Sequence, residues 1–212
     1  MICVANIATH AGREVTIERT LASIIHQFDE INIYDNEVED INLTDRGKFA
    51  FIDKYDEPVY YFTLDDDIIY PADYVDRTVY QIERQGGIIT YHGRQLLGEG
   101  RNYYRGHKSY HLKQGNDTYV QIDVPGTGVT AWRTDYFKPR IEEMKQDKMV
   151  DLLFGLQAAR LRKHIHLGLK PQDWLIIQPL PFERTIYGQE VMKCEKQNKI
   201  ADSICRLRGV RV

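Results

Sequence analysis

Three consecutive acids after a strand-like run are the residues of this sequence best suited to chemistry. Asp65, Asp66 and Asp67 directly follow the apolar residues 59–64 and precede Ile68-Ile69. The run predicts a buried strand, and alternation along it would place Asp65 and Asp67 on one side with Asp66 on the other. Two carboxylates that close repel each other, so a site that keeps both ionised usually holds a cation between them.

The ligand type indicates which cation this would be. Carboxylate oxygens suit Mg²⁺ or Mn²⁺, and these ions commonly complete their coordination with substrate phosphates. We therefore expect Asp65 and Asp67 to bind a divalent cation and to hold a diphosphate. The structural alternative is a solvated acidic turn that happens to follow a strand.

The elements before the acids predict a parallel sheet. Residues 2–8 read as a buried strand, residues 16–28 as a helix with Thr16 as its N-cap, and residues 30–34 as a second strand that ends at Asp35. The helix has apolar positions at helical spacing, namely Ile17, Leu21, Ile24, Ile25 and Phe28. Ligands of such sheets collect beyond the carboxyl ends of the strands, where Thr9, Arg13, Asp35 and the three acids fall.

The rest of the chain alternates between strand and helix patterns. The polar stretch 93–117 predicts a functional flap or a hairpin. Helix 150–163 is expected to turn Val150, Leu153, Phe154 and Leu161 inward. Helices are predicted at 73–84, 150–163 and 190–207, and strands at 88–92, 119–124, 129–132 and 174–177.

Composition narrows the class of protein. The 212 residues are 42% apolar and carry a net charge of −3, which supports a folded core and lacks the basic footprint of a nucleic-acid binder. Cys3, Cys194 and Cys205 are widely spaced and odd in number, so neither a disulfide framework nor a thiolate metal site is indicated. No signal peptide or transmembrane run is recognised. We expect a cytoplasmic location, the host cytoplasm for a viral protein.

Taken together, these residues resemble the GT-A fold glycosyltransferases, in particular family 2-like members, including small virus-encoded ones. The resemblance rests on Arg13 after the first strand, on Ile33-Tyr34-Asp35-Asn36, and on Leu64-Asp65-Asp66-Asp67-Ile68-Ile69-Tyr70-Pro71. It implies one α/β Rossmann-like domain over 1–212 with a mixed, mainly parallel sheet flanked by helices. Residues 1–92 would bind the nucleotide sugar and residues 93–212 the acceptor.

The resemblance also implies roles on the donor side. Asp35 is similar to the acid that recognises uracil, and Thr9 and Arg13 lie where the nucleotide is framed. Asp65 and Asp67 match the outer acids of the D-x-D motif, so Asp65 would face the ribose or the metal, and Asp67 would ligate Mn²⁺ or Mg²⁺ between the phosphates. Asp66, between them, is counted with the nucleotide-binding residues.

On the acceptor side, Asp151 lies where inverting members place their general base. The Gly126-Thr127-Gly128 turn resembles the stretch beneath the donor sugar and acceptor. The implied reaction is metal-dependent transfer of a hexose or deoxyhexose from a UDP-sugar to a hydroxyl of a glycan acceptor, for which a viral capsid glycan is one candidate. The structural alternative for Asp151 is an acid that favours the start of a helix.

Other polar residues carry weaker hypotheses. Lys48 and Lys54 could add positive charge to a donor pocket, although lysines in polar loops are usually solvated. His107 with His111, and His164 with His166, raise a zinc hypothesis that lacks Cys or carboxylate partners at fixed spacing. Four aromatic residues could stack on a sugar, namely Trp132, Tyr103, Tyr104 and Tyr110. For Trp132 the alternative is a place in the hydrophobic core.

Two other functions remain open at this point. A sugar-nucleotide nucleotidyltransferase should begin with a glycine-rich phosphate loop, whereas residues 7–15 contain one glycine. A catalytically inactive domain that binds nucleotide sugars or glycans within a larger polypeptide would be favoured if Asp151 lay buried away from the donor pocket. Further domains could follow this one in a longer chain.

Overall fold

The apolar run at the N-terminus forms an interior strand, β1 (Cys3–Thr9), as its pattern predicts. The computed structural model describes residues 1–145, 149–179 and 195–210. In it, β1 lies between two parallel neighbours, β2 (Glu30–Asp35) and β3 (Tyr60–Leu64). Because β1 is covered on both faces, its side chains do not alternate between buried and exposed, and the amide of buried Asn6 donates to the carbonyl of Phe62.

Seven strands form the central sheet in the order β2-β1-β3-β10-β5-β11-β8. After β3, the chain order of strands is β4 (Ile68–Ile69), β5 (Ile88–Thr90), β6 (Gly93–Leu96), β7 (His107–Tyr110), β8 (Val120–Ile122), β9 (Val124–Pro125), β10 (Val129–Arg133), β11 (Ile165–Leu167) and β12 (Ile176–Ile177). In the central sheet β10 and β8 run antiparallel to the other five. Small sheets of β7-β6-β9 and β12-β4 lie beside it.

Helices cover both faces of the sheet. They are α1 (Glu14–Ile24), α2 (Tyr74–Gln85), α3 (Val150–Arg160) and α4 (Glu195–Arg208). The apolar side chains of α1 and α2 pack in one core cluster, and those of α3 and α4 pack in another. This mainly parallel sheet with helices on both faces confirms the predicted fold class, a Rossmann-like α/β domain.

Strand periodicity explains how one sheet serves two cores. Within β3, Tyr61 belongs to the α3/α4 cluster and Phe62 to the α1/α2 cluster; Ile88 and Ile89 of β5 divide in the same way. Successive side chains of a strand point to opposite faces, so each strand contributes to both layers. Trp132 of β10 is fully buried in the α3/α4 core, which decides between its two expected roles in favour of the core.

Several predicted helix boundaries were wrong by up to about one turn. Helix α1 begins at Glu14 rather than Thr16, and Thr16 donates from its hydroxyl to the carbonyl of Arg13 instead of capping the helix. It ends at Ile24, so Ile25 is exposed. Helix α3 ends at Arg160, and Leu161, expected to face inward, is 56% exposed.

The polar stretch after β5 contains a hairpin, which was one of the two structures predicted for it. Strands β6 and β7 pair antiparallel, with Gly93 opposite Tyr110 and Leu96 opposite His107. Helix α4 covers the described part of the predicted C-terminal helix, whereas residues 190–194 lie outside the described residues. Among the helices described, none combines the length and the apolar character that crossing a bilayer requires.

Candidate active site

Three parallel strands bring the predicted nucleotide-binding residues to one edge of the sheet. Thr9 at the end of β1 is in register with Asp35 at the end of β2. On the other side of β1, Ile7 is in register with Leu64, after which the three acids begin. The carboxyl ends of β1, β2 and β3 therefore place Thr9, Asp35 and the acids next to one another, as the strand-end rule predicts.

Asp65, Asp66 and Asp67 form what we call the acidic cluster, and Arg13 holds two of its members. The Arg13 guanidinium donates to Asp67 Oδ2 at 2.9 Å and lies 3.5 Å from Asp66 Oδ1. Asp66 is buried and accepts a 2.8 Å hydrogen bond from the hydroxyl of Thr9. Thr9 and Arg13 therefore both contact the acidic cluster, and their role in nucleotide binding stays a prediction.

Asp65 pairs with a different basic side chain. The Lys48 ammonium, which is buried, forms an ion pair with Asp65 Oδ1. The predicted separation of Asp66 from the other two acids was wrong in detail, because β3 ends at Leu64 and the acids occupy a turn. In that turn Asp66 and Asp67 converge on Arg13, while Asp65 points to Lys48.

Burial and mutual repulsion set the protonation of the cluster. Burial, followed by the charge of Asp65, raises the pKa of Asp67 to about 6, against the lowering effect of Arg13. Burial also raises the pKa of Asp66, with Arg13 and Thr9 opposing the rise. Burial would lower the pKa of Lys48, but the carboxylates of Asp65, Asp45 and Asp151 together outweigh it and raise that pKa. Lys48 is therefore a permanent cation of the site.

The acidic cluster supplies carboxylates but not a complete set of ligands for a divalent cation. The charge of Asp65 raises the pKa of Asp67, so a cation near both would relieve their repulsion. Three acids face two bases, which leaves a net negative charge for such a cation. Within the described ranges, no group of three or more His, Cys, Asp or Glu residues is arranged to hold a metal. The remaining ligands would therefore have to come from a bound phosphate group.

Asp35 lies in a turn that neighbouring loops hold in place. Its Oδ1 accepts from the backbone N–H of Glu37 at 3.0 Å, the contact expected of a turn former. The next residue, Asn36, donates to the carbonyls of Thr9 at 2.8 Å and Thr44 at 3.1 Å. The role of Asp35 in uracil recognition stays a prediction, on a residue placed beside Thr9.

Asp151 lies in the first turn of α3, and Thr127 fixes its orientation. Asp151 Oδ1 accepts two hydrogen bonds from Thr127, one from the backbone N–H at 2.8 Å and one from the hydroxyl at 2.6 Å. From the described residues, no hydrogen bond reaches Oδ2. One carboxylate oxygen is anchored and the other is left for a ligand.

The Gly126-Thr127-Gly128 turn joins Asp151 to the acidic cluster. Thr127 binds Asp151, and a Cβ on the adjacent Gly128 would lie 1.8 Å from Asp65 Oδ2. Real Cβ atoms never approach so closely, so glycine is required for the carboxylate to lie against this turn. Because consecutive Cα atoms are about 3.8 Å apart, Asp65 and Asp151 flank the same short piece of backbone.

A cavity of about 540 Å³, here called the histidine cavity, opens beside Asp151. Its lining combines two acids with basic, aromatic and imidazole side chains: Asp45, His92, Arg94, Tyr103, Tyr104, His107, Ser109, His111, Met149, Val150, Asp151, Leu152 and Gln197. Burial, with the charge of Asp151 adding to it, raises the pKa of Asp45 to about 6. The volume is in the range of small-molecule sites.

Comparison with known proteins identifies the fold. No family model and no curated protein matches this sequence. Among solved structures, the chain is similar to residues 1–349 of S. aureus TarS, with a TM-score of 0.53 and 11% identity over 98% of this chain and 70% of that one. At that identity the likeness shows a shared fold, and activity has to be argued from the site.

Two further solved structures align less closely. A197 from STIV matches with a TM-score of 0.47 and 14% identity, over 85% of this chain and 96% of that one. The inositol-1-phosphate CTP transferase from T. maritima matches with a TM-score of 0.36 and 12% identity, over 95% and 77% of the two chains.

Sequence reasoning missed several residues that the structure adds. Lys48 was predicted to be a solvated lysine like Lys54, because no local sequence pattern marks it as buried. Asp45 and Arg94 were not considered. His92 follows β5, which is parallel to β1 and β3, so the strand-end rule would have found it.

Other candidates lie elsewhere. Lys54 pairs with Glu30, at the opposite end of β2 from Asp35. His164 and His166 stack on each other near Gly87, whereas His107 and His111 line the histidine cavity. Neither histidine pair belongs to a potential metal group within the described ranges, so the zinc hypothesis gains no support.

Proposed function

We propose that this protein transfers a hexose or deoxyhexose from a UDP-sugar to a hydroxyl of a glycan acceptor, with inversion at the anomeric carbon. The observation that supports this most is the glycine-containing turn between Asp65 and Asp151. The acidic cluster and Asp151 lie on two sides of this one peptide segment, an arrangement that would suit a diphosphate on one side and a base on the other. A sugar lying over that turn would have its leaving group on one side and the acceptor on the other.

On the donor side, each residue has a role that its contacts support. Asp65 and Asp67 would hold Mn²⁺ or Mg²⁺ together with the diphosphate, and the metal would supply Lewis-acid neutralisation of the leaving group's charge. Arg13 and Lys48 neutralise these carboxylates while no metal is bound, and would add positive charge at the diphosphate once the metal takes their place. Thr9 and Asp35 frame the nucleoside at the ends of β1 and β2.

On the acceptor side, Asp151 would take the proton of the attacking hydroxyl. Thr127 occupies Oδ1 and thereby orients Oδ2 for that transfer. A single base opposite the leaving group implies direct displacement, and therefore inversion. The location of Asp151 on the cavity wall does not favour the alternative of an inactive binding domain, which would have had this acid buried away from the site.

Calorimetric titration with UDP, with and without Mn²⁺, tests the donor side. We expect Mn²⁺ to raise the affinity for UDP at least about tenfold, since a bridging cation removes the repulsion between diphosphate and carboxylates. Asp67→Asn should remove this dependence, while the exposed control Asp56→Asn should keep it. An affinity that ignores the metal in the wild type would refute the proposed donor site.

The donor sugar is identified by screening UDP-sugars for metal-dependent hydrolysis. Sugars differ by a few hydroxyl positions, and enzymes distinguish them by a few hydrogen bonds. A UDP-hexose or UDP-deoxyhexose should be hydrolysed faster than the others. Hydrolysis of none of them, by a protein that binds UDP and Mn²⁺, would favour the inactive binding domain.

A further inference from the structure

We infer that the histidine cavity selects an acceptor that carries an anionic group, a phosphate or a carboxylate, and that Arg94 binds this group. The inference rests on the proposed function, since it names the class of acceptor that the same site would take. Its evidence comes from Arg94, His92 and the tyrosines beside Arg94, which line the same cavity as Asp45 and Asp151.

Arg94 is a positioned cation without a counter-ion. Among the described residues no carboxylate lies within ion-pair distance of its guanidinium, in contrast with Arg13, Arg133 and Arg206. The guanidinium instead bonds to the hydroxyl of Tyr103 and lies 4.7 Å from the centre of that ring. It also lies 5.8 Å from the ring centre of Tyr104. A second aromatic contact holds the charge in place without neutralising it, and leaves its remaining N–H groups for a ligand.

His92 adds an unpartnered polar atom to the same wall. Its Nδ1 is buried and has no hydrogen-bond partner within the described part of the chain. Buried polar atoms are rarely left without a partner, because each one costs free energy when water is excluded. The ring lies 6.0 Å from that of His111, also on the cavity wall. The His92 ring lines the cavity, so a ligand bound there would lie close to this imidazole.

The distribution of charge in the cavity orients such an acceptor. Burial lowers the pKa of His92, and the charges of Arg94 and His111 lower it further, while Asp151 raises it. The imidazole is therefore neutral at neutral pH, and Arg94 is the cation of this wall. An anionic acceptor would direct its charge to Arg94, and an unsubstituted hydroxyl could then approach Asp151 in the same cavity.

The test compares three sugars that differ in charge. Calorimetry measures the binding of glucose 6-phosphate, glucuronate and methyl glucoside to the whole chain, with the histidine ring signals followed by NMR. We expect at least one anionic sugar to bind about tenfold or more tightly than methyl glucoside, and to shift the His92 and His111 signals. Preference for glucose 6-phosphate alone assigns a phosphate-bearing acceptor, and preference for glucuronate alone a carboxylate-bearing one.

Variants of two arginines in the same hairpin test whether Arg94 causes the preference for the anionic sugar. Arg94→Gln should remove the preference for the anionic sugar, and Arg94→Lys should keep part of it because the charge remains. The matched control Arg105→Gln, which removes an exposed charge outside the cavity, should keep all of it. Equal binding of the three sugars, or a preference that survives Arg94→Gln, would overturn the inference.

UDP affinity in the same variants separates this inference from the proposed donor site. Arg94→Gln should bind UDP with Mn²⁺ as the wild type does, because Arg94 lies in the cavity and not in the acidic cluster. A parallel loss of UDP affinity in this variant would mean that Arg94 serves the donor diphosphate, and would overturn the acceptor assignment. Failure of the wild type to bind UDP would instead refute the proposed function, whatever the sugar titrations show.

Discussion

The acidic cluster and the histidine cavity flank one three-residue turn, yet their charges are arranged in opposite ways. In the acidic cluster each carboxylate has a basic partner, with Asp66 and Asp67 on Arg13 and Asp65 on Lys48. In the cavity Arg94 has no carboxylate partner among the described residues, and His92 has an unpartnered nitrogen. A paired cluster is rigid before a ligand arrives, whereas an unpaired wall gains most of its hydrogen bonds from the ligand.

This difference suggests that the acidic cluster positions the donor and that the histidine cavity selects the acceptor. In the proposed function the acids and their bases would bind any diphosphate in the same geometry, because they would contact atoms common to all nucleotide sugars. The cavity contains the groups that would distinguish one acceptor from another. Variants on the two sides should therefore affect different measurements.

Asp151→Asn should have the largest effect, on transfer alone. Asparagine keeps an oxygen for the two hydrogen bonds from Thr127 but cannot take a proton, so turnover should fall on the order of 10²–10⁴-fold. The rate is measured with the UDP-sugar found by the hydrolysis screen. UDP affinity with Mn²⁺ should stay unchanged, as the matched control within the same variant. Full transfer activity would place the base elsewhere.

Gly128→Ala should disturb the boundary between the two regions. Its Cβ would overlap the carboxylate of Asp65, so Asp65 or the turn must shift, at a cost of about 1–3 kcal/mol in the free energy of unfolding. Urea denaturation measures this cost, and metal-dependent UDP binding should weaken with it.

A double-mutant cycle identifies the cause of that loss. In an Asp65→Ala background the added Cβ meets no carboxylate, so Gly128→Ala should then cost little stability. If the cost is the same in both backgrounds, the close approach of Asp65 to the turn is not what requires glycine.

Lys48→Met should change the affinity for metal without nucleotide. Lys48 is the cation that pairs with Asp65, so its removal leaves a carboxylate more available to Mn²⁺. We expect Mn²⁺ alone to bind about tenfold more tightly, equivalent to about 1.4 kcal/mol. The matched control is Lys54→Met, which removes a lysine paired with Glu30 at the far end of β2. Weaker Mn²⁺ binding by Lys48→Met would show that the lysine supports the metal site rather than competing with it.

Sequence patterns predicted the paired region better than the cavity, for a physical reason. Thr9, Asp35 and Asp65 follow parallel strands, and strand ends meet at one edge whatever the later chain does. Lys48 is 17 residues from its partner Asp65, and nothing in its neighbours marks it as buried. Its position depends on how the 3₁₀ helix Thr44–Phe49 packs over the sheet, which is a tertiary effect.

The histidine cavity could not be predicted from the sequence, again because it depends on tertiary packing. Arg94 lies on a hairpin and Asp151 on a helix, and their common cavity exists only once the two elements pack together. The ends of helices were also difficult to predict from the sequence. Leu161 continues the apolar spacing of α3, but the helix ends one residue before it and the side chain is exposed.

Asp45→Asn should have the smallest effect, on the pH dependence of stability. The pKa of Asp45 is raised to about 6 by burial and by the charge of Asp151, so between about pH 4 and pH 6 the folded chain holds a proton that the unfolded chain has lost. Stability from this group therefore rises as the pH falls, and at pH 7.5 the ionised carboxylate is unfavourable. Because the side chain is only partly buried, we expect Asp45→Asn to be about 1 kcal/mol more stable than the wild type at pH 7.5 and no more stable at pH 4. Urea denaturation at both pH values measures the difference, with exposed Asp56→Asn as the control that should show none. A gain of equal size at both pH values would mean that Asp45 is not the strained acid of the cavity, and that the two regions differ less in their electrostatics than their contacts indicate.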